Sequence, residues 1–247
     1  MNKKDLILAT LFTGNYDVNR SQTLPHNDFS IIESWYNSIV DLKLKAILFH
    51  NTYSEATIAT YQNEYVTFVT VAPHPIYNAN IYRYFIYLNY LNNNIDSINN
   101  IFVTDSTDVT VLKNPFIQPQ YVANTNNLFC GDEATTLNCN WMIQHHTHLR
   151  NNIENFETYE LKYANNTLLN CGIIGGRLNV MLLLLEHICS LHLKYSSTNH
   201  TLYTLDMGVF NYVANTTFAN KVIHGTPINT VFKAYDMESA ACWFRHK

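Results

Sequence analysis

Four short, nearly uninterrupted apolar runs, Leu6–Phe12, Lys45–Phe49, Tyr65–Val71 and Asn100–Thr104, mark the first part of the chain. They lack the alternation of a strand with one wet face, and they are bounded like strands, so they read as strands covered on both sides. Between them, Ile31–Val40 sets Ile31, Trp35 and Ile39 at helical spacing, and Asn80–Leu91 reads as an aromatic-rich helix carrying Arg83. Alternation of this kind predicts an α/β architecture, a mixed but mainly parallel central sheet flanked by helices. Farther on, Leu137–Ile153 reads as helix, Thr167–Asn170 as strand, Arg177–Lys194 as helix and Leu205–Val213 as a short helix. Val222–Phe232 holds strand-like pieces broken by Gly225 and Pro227. With no linker, repeat or low-complexity segment, residues 1–247 are read as a single domain, long enough to bury a sizeable core.

Composition narrows the function classes. Hydrophobic residues make up 47% of the chain and charged ones only 14%, and 17 Tyr with 13 Phe exclude a disordered polymer. A net charge of −4 argues against nucleic acid as a partner, because phosphate binding needs a basic excess. The longest apolar run, Val180–Leu185, falls far short of the roughly 20 residues of a membrane span. Leu6–Phe12 leads into Thr13-Gly14-Asn15 without a cleavage signature, so it reads as a first strand and not a signal peptide, and the expected location is the cytoplasm. The 5 cysteines are odd in number and never spaced C-x-x-C, which disfavours a disulfide framework or a structural zinc site. Sequons such as those at Asn165 and Asn215 are then chance matches in an Asn-rich chain. Frequent Asn, Tyr and Ile point to an AT-rich genome and an amide-rich surface.

The segment richest in chemistry is Ile101-Phe102-Val103-Thr104-Asp105-Ser106-Thr107-Asp108-Val109. Open α/β sheets bind ligands at the carboxyl ends of their strands, and here an apolar strand stops at two carboxylates on one tight turn. Such a pair either caps the turn and the next element, or grips a cation that neutralises a diphosphate. The buried strand before it makes unpartnered carboxylates costly, which favours the metal. Asn170-Cys171-Gly172-Ile173-Ile174-Gly175-Gly176 is read as a glycine-lined turn before the helix near Arg177, apt either for close ligand approach or for packing. Asp206 opens a short helix, where an acidic residue is ordinarily a cap.

Asp105-Ser106-Thr107-Asp108-Val109, continued by Leu112-Lys113-Asn114-Pro115-Phe116, resembles the D-S-x-D-V element of metal-dependent glycosyltransferases of the GT-A fold, including collagen-glycosylating domains. Size and Asn-rich style are similar to the small glycosyltransferases with which chlorella viruses decorate their major capsid protein. The resemblance runs through nearly the whole chain and implies a Rossmann-like sheet, a nucleotide-sugar donor (a UDP-sugar first among them), Mn²⁺ or Mg²⁺, and a glycan or glycoprotein acceptor. It makes Asp105 and Asp108 metal ligands, although D-x-x-D departs from the strict D-x-D spacing and leaves their individual roles open. Asn170, Gly175 and Gly176 match the N-x-G-x-x-G-G segment lining the donor side. Asp206 stands where these enzymes keep a carboxylate by the reacting carbon, as general base or electrostatic stabiliser. His246 is implied as third metal ligand, with His224 its competitor, and Lys247 as a diphosphate partner. Thr10, Phe12 and Thr13 fall where base and ribose sit, Ser106 in the donor site, and Arg83 behind the metal carboxylates.

Other features read as structure. His145-His146-Thr147-His148 lacks a useful zinc spacing and lies beside Trp141 and Met142, as in a packed helix. Asp132 and Glu133 follow a strand-like Leu128-Phe129-Cys130 and are candidates for acceptor-binding carboxylates. Two other functions compete with glycosyl transfer: a metal-dependent nucleotidyltransferase or phosphohydrolase using the same turn, and a non-enzymatic carbohydrate-binding module.

Overall fold

The computed structural model describes residues 3–14, 16–17, 22–196, 205–233 and 240–247, so Asn15 of the segments named above lies outside the described residues. The strands are β1 (Lys4–Leu11), β2 (Tyr16–Asp17), β3 (Gln22–Thr23), β4 (Ala46–His50), β5 (Val66–Thr70), β6 (Ile98–Asp105), β7 (Val109–Val111), β8 (Leu128–Thr136), β9 (Thr167–Arg177), β10 (Val222–His224) and β11 (Phe244–His246). The helices are α1 (Glu33–Asp41), α2 (Glu55–Tyr61), α3 (Ala79–Asn93), α4 (Pro119–Ala123), α5 (Asn140–Arg150), α6 (Phe156–Tyr163), α7 (Leu178–Ser196) and α8 (Asp206–Val213).

Seven strands form the central sheet in the order β10-β8-β9-β6-β1-β4-β5. All neighbours run parallel except β9, which is antiparallel to both β6 and β8. The chain alternation therefore predicts the architecture correctly: a single mixed α/β domain, Rossmann-like, with a mostly parallel sheet between helices. The runs of β1, β4 and β6 are continuous because both faces are buried; the run of β5, expected to be covered on both sides, lies at the sheet edge with Thr67 and Thr70 exposed. Leu6 and Leu8 of β1 face one hydrophobic cluster together with Tyr84, Leu91 and the α7 residues Met181, Leu184 and Leu185. Ile7 and Ala9 face the other, with Trp35 and Ile39 of α1. The same period of two sends Ile101 and Val103 of β6 to the first cluster and Phe102 to the second.

Two features of this sheet place the functional groups. The order β6-β1-β4-β5 reverses direction at β1, so the carboxyl ends of β1 and β6 flank a topological switch point, with Thr10 registered opposite Asp105. β9 then runs past the end of β6: its pairing to β6 covers only Ile173 to Arg177, leaving Thr167 to Gly172 beside the acidic turn. There Asn211 of α8 takes the place of a strand neighbour, accepting from the Leu169 amide at 3.0 Å and donating to its carbonyl at 2.9 Å. That clamp docks α8, and with it Asp206, against the same turn.

The long β9 corrects one expectation. Gly175 and Gly176 do not form a ligand-lining turn; they lie inside the sheet. Gly175 is registered between Phe102 of β6 and Phe129 of β8, and a Cβ there would strike the Phe102 ring. A Cβ on Gly176 would crowd Val180 of α7 at 3.1 Å. Both glycines thus serve packing between strands and helix, and neither reaches the cleft. No helix among the described residues is long and apolar enough to cross a membrane.

Candidate metal centre

A cleft of about 800 Å³ opens at the carboxyl ends of β1 and β6. Its floor holds Asp105, Asp108 and His246, whose ligand atoms all lie within 4.8 Å of one another. Local structure explains this convergence. β6 ends at Asp105, a short turn follows, and β7 starts at Val109. β7 pairs antiparallel with β11, putting His246 opposite Val109, and the Lys247 amide closes the ladder on the Asp108 carbonyl at 3.0 Å. The last residues of the chain are thereby zipped onto the acidic turn. His224, the competing histidine, is elsewhere: it sits on β10 and bonds Asp132 through Nδ1 at 2.9 Å.

The side chains fit a cation. His246 is 3% exposed, its amide bonds Thr230 Oγ1 at 3.1 Å, and its Nδ1 is buried with no hydrogen-bond partner. A buried imidazole nitrogen left unsatisfied costs about 1–3 kcal/mol, which a cation bound at its lone pair would recover. Room for an ion is kept by Gly172, where a Cβ would lie 2.5 Å from His246 Cε1 and 2.9 Å from Asp105 Oδ2. Two carboxylates and one imidazole form a mixed oxygen and nitrogen set suited to a divalent cation, with other coordination positions left for ligand or water.

Behind Asp105 stands Arg83, 7% exposed on the buried side of α3. Its Nη1 pairs with Asp105, while Nη2 lies 3.4 Å from Asp206 Oδ2 and 3.1 Å from Cys171 Sγ. Burial opposes its charge, but Tyr84, Asp105, Cys171 and Asp206 around it outweigh that and hold its pKa well above the ordinary value. Burial, seconded by Asp206, pushes the Cys171 thiol well up, so it stays protonated and donates to Asp206 at 3.3 Å. Asp206, 3% exposed at the first position of α8, keeps a buried Oδ1 that has no partner.

Other residues expected at the site fall into two groups. Thr10, Phe12 and Lys247 line the cleft. Ser106 and Asn170 also line it, but their side chains are occupied: Ser106 Oγ donates to the Thr10 carbonyl at 3.1 Å, and Asn170 bridges Glu133 Oε1 at 2.8 Å and the Gly172 amide at 2.7 Å. Thr13 is 1% exposed with its hydroxyl on His26 Nδ1 at 3.1 Å, so it shapes the loop after β1 and does not line the cleft.

Sequence reasoning missed Cys171 and Gly172 as site residues and took Trp141 for packing. Trp141 is 42% exposed on the cleft wall, its ring 4.1 Å from that of His145. The signal for Cys171 and Gly172 lay in the N-x-G segment itself, whose second and third residues face Asp206 and Asp105. The histidines of α5 diverge: His145 packs at a tilt against Trp141, while His146 bonds Glu160 at 3.0 Å.

Compared with known proteins, the chain matches no protein-family model, and no curated protein matches its sequence.

Proposed function

We propose that the chain is a metal-dependent glycosyltransferase that uses a nucleotide-sugar donor, a UDP-sugar by preference, and a glycan or glycoprotein acceptor. The observation that carries this reading is the convergence of Asp105, Asp108 and His246 on the floor of a large cleft at the sheet's switch point. When bound there, a divalent cation such as Mn²⁺ would neutralise the charge that builds on a leaving diphosphate. One imidazole among the ligands suits Mn²⁺ better than Mg²⁺, which prefers oxygen alone.

The chain's own residues divide the remaining work. Thr10 and Phe12, at the end of β1, face the part of the cleft where a base and ribose would lie. Lys247, exposed at the lip, supplies a mobile positive charge for the diphosphate. Arg83 holds Asp105 in its ligating position and cross-braces it to Asp206. Asp206 accepts from Arg83 and Cys171 through Oδ2, and a carboxylate anchored in this way would stabilise positive charge developing at the sugar. Glu133, steadied by Asn170, is the carboxylate on the acceptor side. The similarity to enzymes that decorate a viral capsid makes a viral glycoprotein the acceptor to try first.

Incubation with Mn²⁺ and a panel of nucleotide sugars tests the reading. Slow, metal-dependent release of nucleoside diphosphate from at least one donor is expected, and Asp108→Ala should abolish it. Release of pyrophosphate would mark a nucleotidyltransferase instead, and no turnover of any donor would count against the proposal.

A further inference from the structure

A second cleft of about 410 Å³ adjoins the first, and the two share Glu133 and Thr135 on the outer half of β8. We propose that this second cleft seats a neutral, hydroxyl-rich glycan, holding the sugar unit next to the one that receives the transferred residue. The proposal rests on the glycosyl-transfer reading and names the acceptor class that reading leaves open.

Three observations carry it. The cleft is built for hydroxyl groups: Asp132, Thr136, Thr167, Thr226 and Asn229 line it, offering carboxylate and amide oxygens beside hydroxyls that both donate and accept. Asn229 is 1% exposed; its Nδ2 donates to the carbonyls of Thr230 at 2.8 Å and Asp132 at 3.2 Å, but its Oδ1 is buried without a partner. A ligand hydroxyl would satisfy that oxygen, which ordinary folding economy would not leave bare. Charge then selects among hydroxylated ligands. Asp132 and Glu133 are present, and no Lys or Arg lines the cleft among the described residues, so uronic acids, sulfated sugars and phosphates are repelled.

Continuity supplies the length of the ligand. Glu133 stands at the junction of the two clefts, so a molecule lying across it enters both. On the main-cleft side Trp141 presents an exposed ring, steadied by His145, as a flat apolar surface for the C–H face of a pyranose. A volume of this size is at the small end of ligand sites and fits a sugar unit or two. A peptide strand finds less here, because the sheet edge at this end, β10, is only 3 residues long.

Binding of the whole chain, with Mn²⁺ and UDP present, to an array of neutral and acidic oligosaccharides of one to four units and to unmodified peptides tests the assignment. Neutral glycans of two or more units should be retained, and single sugars at least about tenfold more weakly. Asn229→Leu should cost about tenfold in glycan binding, and Thr167→Val, which leaves the buried amide contacts intact, should weaken it in the same direction. UDP binding in Mn²⁺ reports on fold and donor site separately. Preference for acidic glycans or peptides, or indifference to chain length and to both variants, overturns the proposal while leaving the donor reading standing. Failure of UDP to bind with metal overturns the donor reading and this one with it.

Discussion

At the residue scale, Gly172 and Arg83 do more to define the site than the ligands' own spacing. Gly172→Ala is expected to lower Mn²⁺ affinity about tenfold or more with little loss of fold, because the new methyl must displace His246 or Asp105, two side chains that face the open space of the cleft. Calorimetric titration of metal into the variant checks this; unchanged affinity would mean that the ion does not sit between those side chains. Arg83 is buried between two carboxylates, so Arg83→Leu leaves Asp105 and Asp206 without their cation. Loss of one partner of a buried pair costs about 3–5 kcal/mol, and the lower end applies here because the Asp105 side chain is 32% exposed. Urea unfolding should show that loss, and adding Asp206→Asn should recover part of it. Additive destabilisation in the double variant would contradict the bracing role.

At the scale of elements, the parallel strands and principal helices were legible because the runs of β1, β4 and β6 are buried on both faces and leave an unbroken signature, while the edge strand β5 keeps a buried row at Val66 and Phe68. β9 was not. Its Asn170-Cys171-Gly172 end and its Gly175-Gly176 interior look alike in sequence, yet one end overhangs β6 beside the cleft while the other fills the space between Phe102 and Phe129. Only the register of neighbouring strands separates those uses of glycine. Gly175→Ala should therefore destabilise the fold by about 1–3 kcal/mol through overpacking, with metal affinity unchanged in the protein that remains folded. A fall in metal affinity without a fall in stability would restore Gly175 to the site. β11 escaped notice for a similar reason. Phe244-Arg245-His246 is too short to read as a strand, and its partner β7 lies more than a hundred residues earlier. The residue types at the site were thus visible in the sequence, but the ladder that carries His246 to Asp108 was not.

At the scale of the molecule, burial of histidines makes stability fall in acid. His192, on α7 and stacked on Tyr84 at 6.4 Å, has its pKa lowered by burial from 6.5 to about 3. The unfolded chain takes up this proton as pH drops below 6.5, while the folded chain does so only near pH 3, so the stability contributed by neutral His192 is present above pH 6.5 and lost on descending that window. The slope from one such group is up to about 1.4 kcal/mol per pH unit. Burial lowers His50, His145 and His146 in the same sense. His192→Phe should flatten the fall in unfolding free energy between pH 6.5 and 4.5, and an unaltered slope would assign the effect to other groups.

The whole architecture, with a switch point between β1 and β6, an overhanging β9 and a C-terminal ladder, converges on one place where a cation and a diphosphate would meet. Calorimetric titration of UDP into the protein with Mn²⁺, with EDTA, and with Asp108→Ala and His246→Ala in Mn²⁺ addresses that place directly. The expected result is UDP binding in Mn²⁺, its loss in EDTA, and a reduction of about tenfold or more in each variant. UDP binding of equal strength in all four conditions, or in none, would contradict a metal centre at Asp105, Asp108 and His246 that serves a nucleotide.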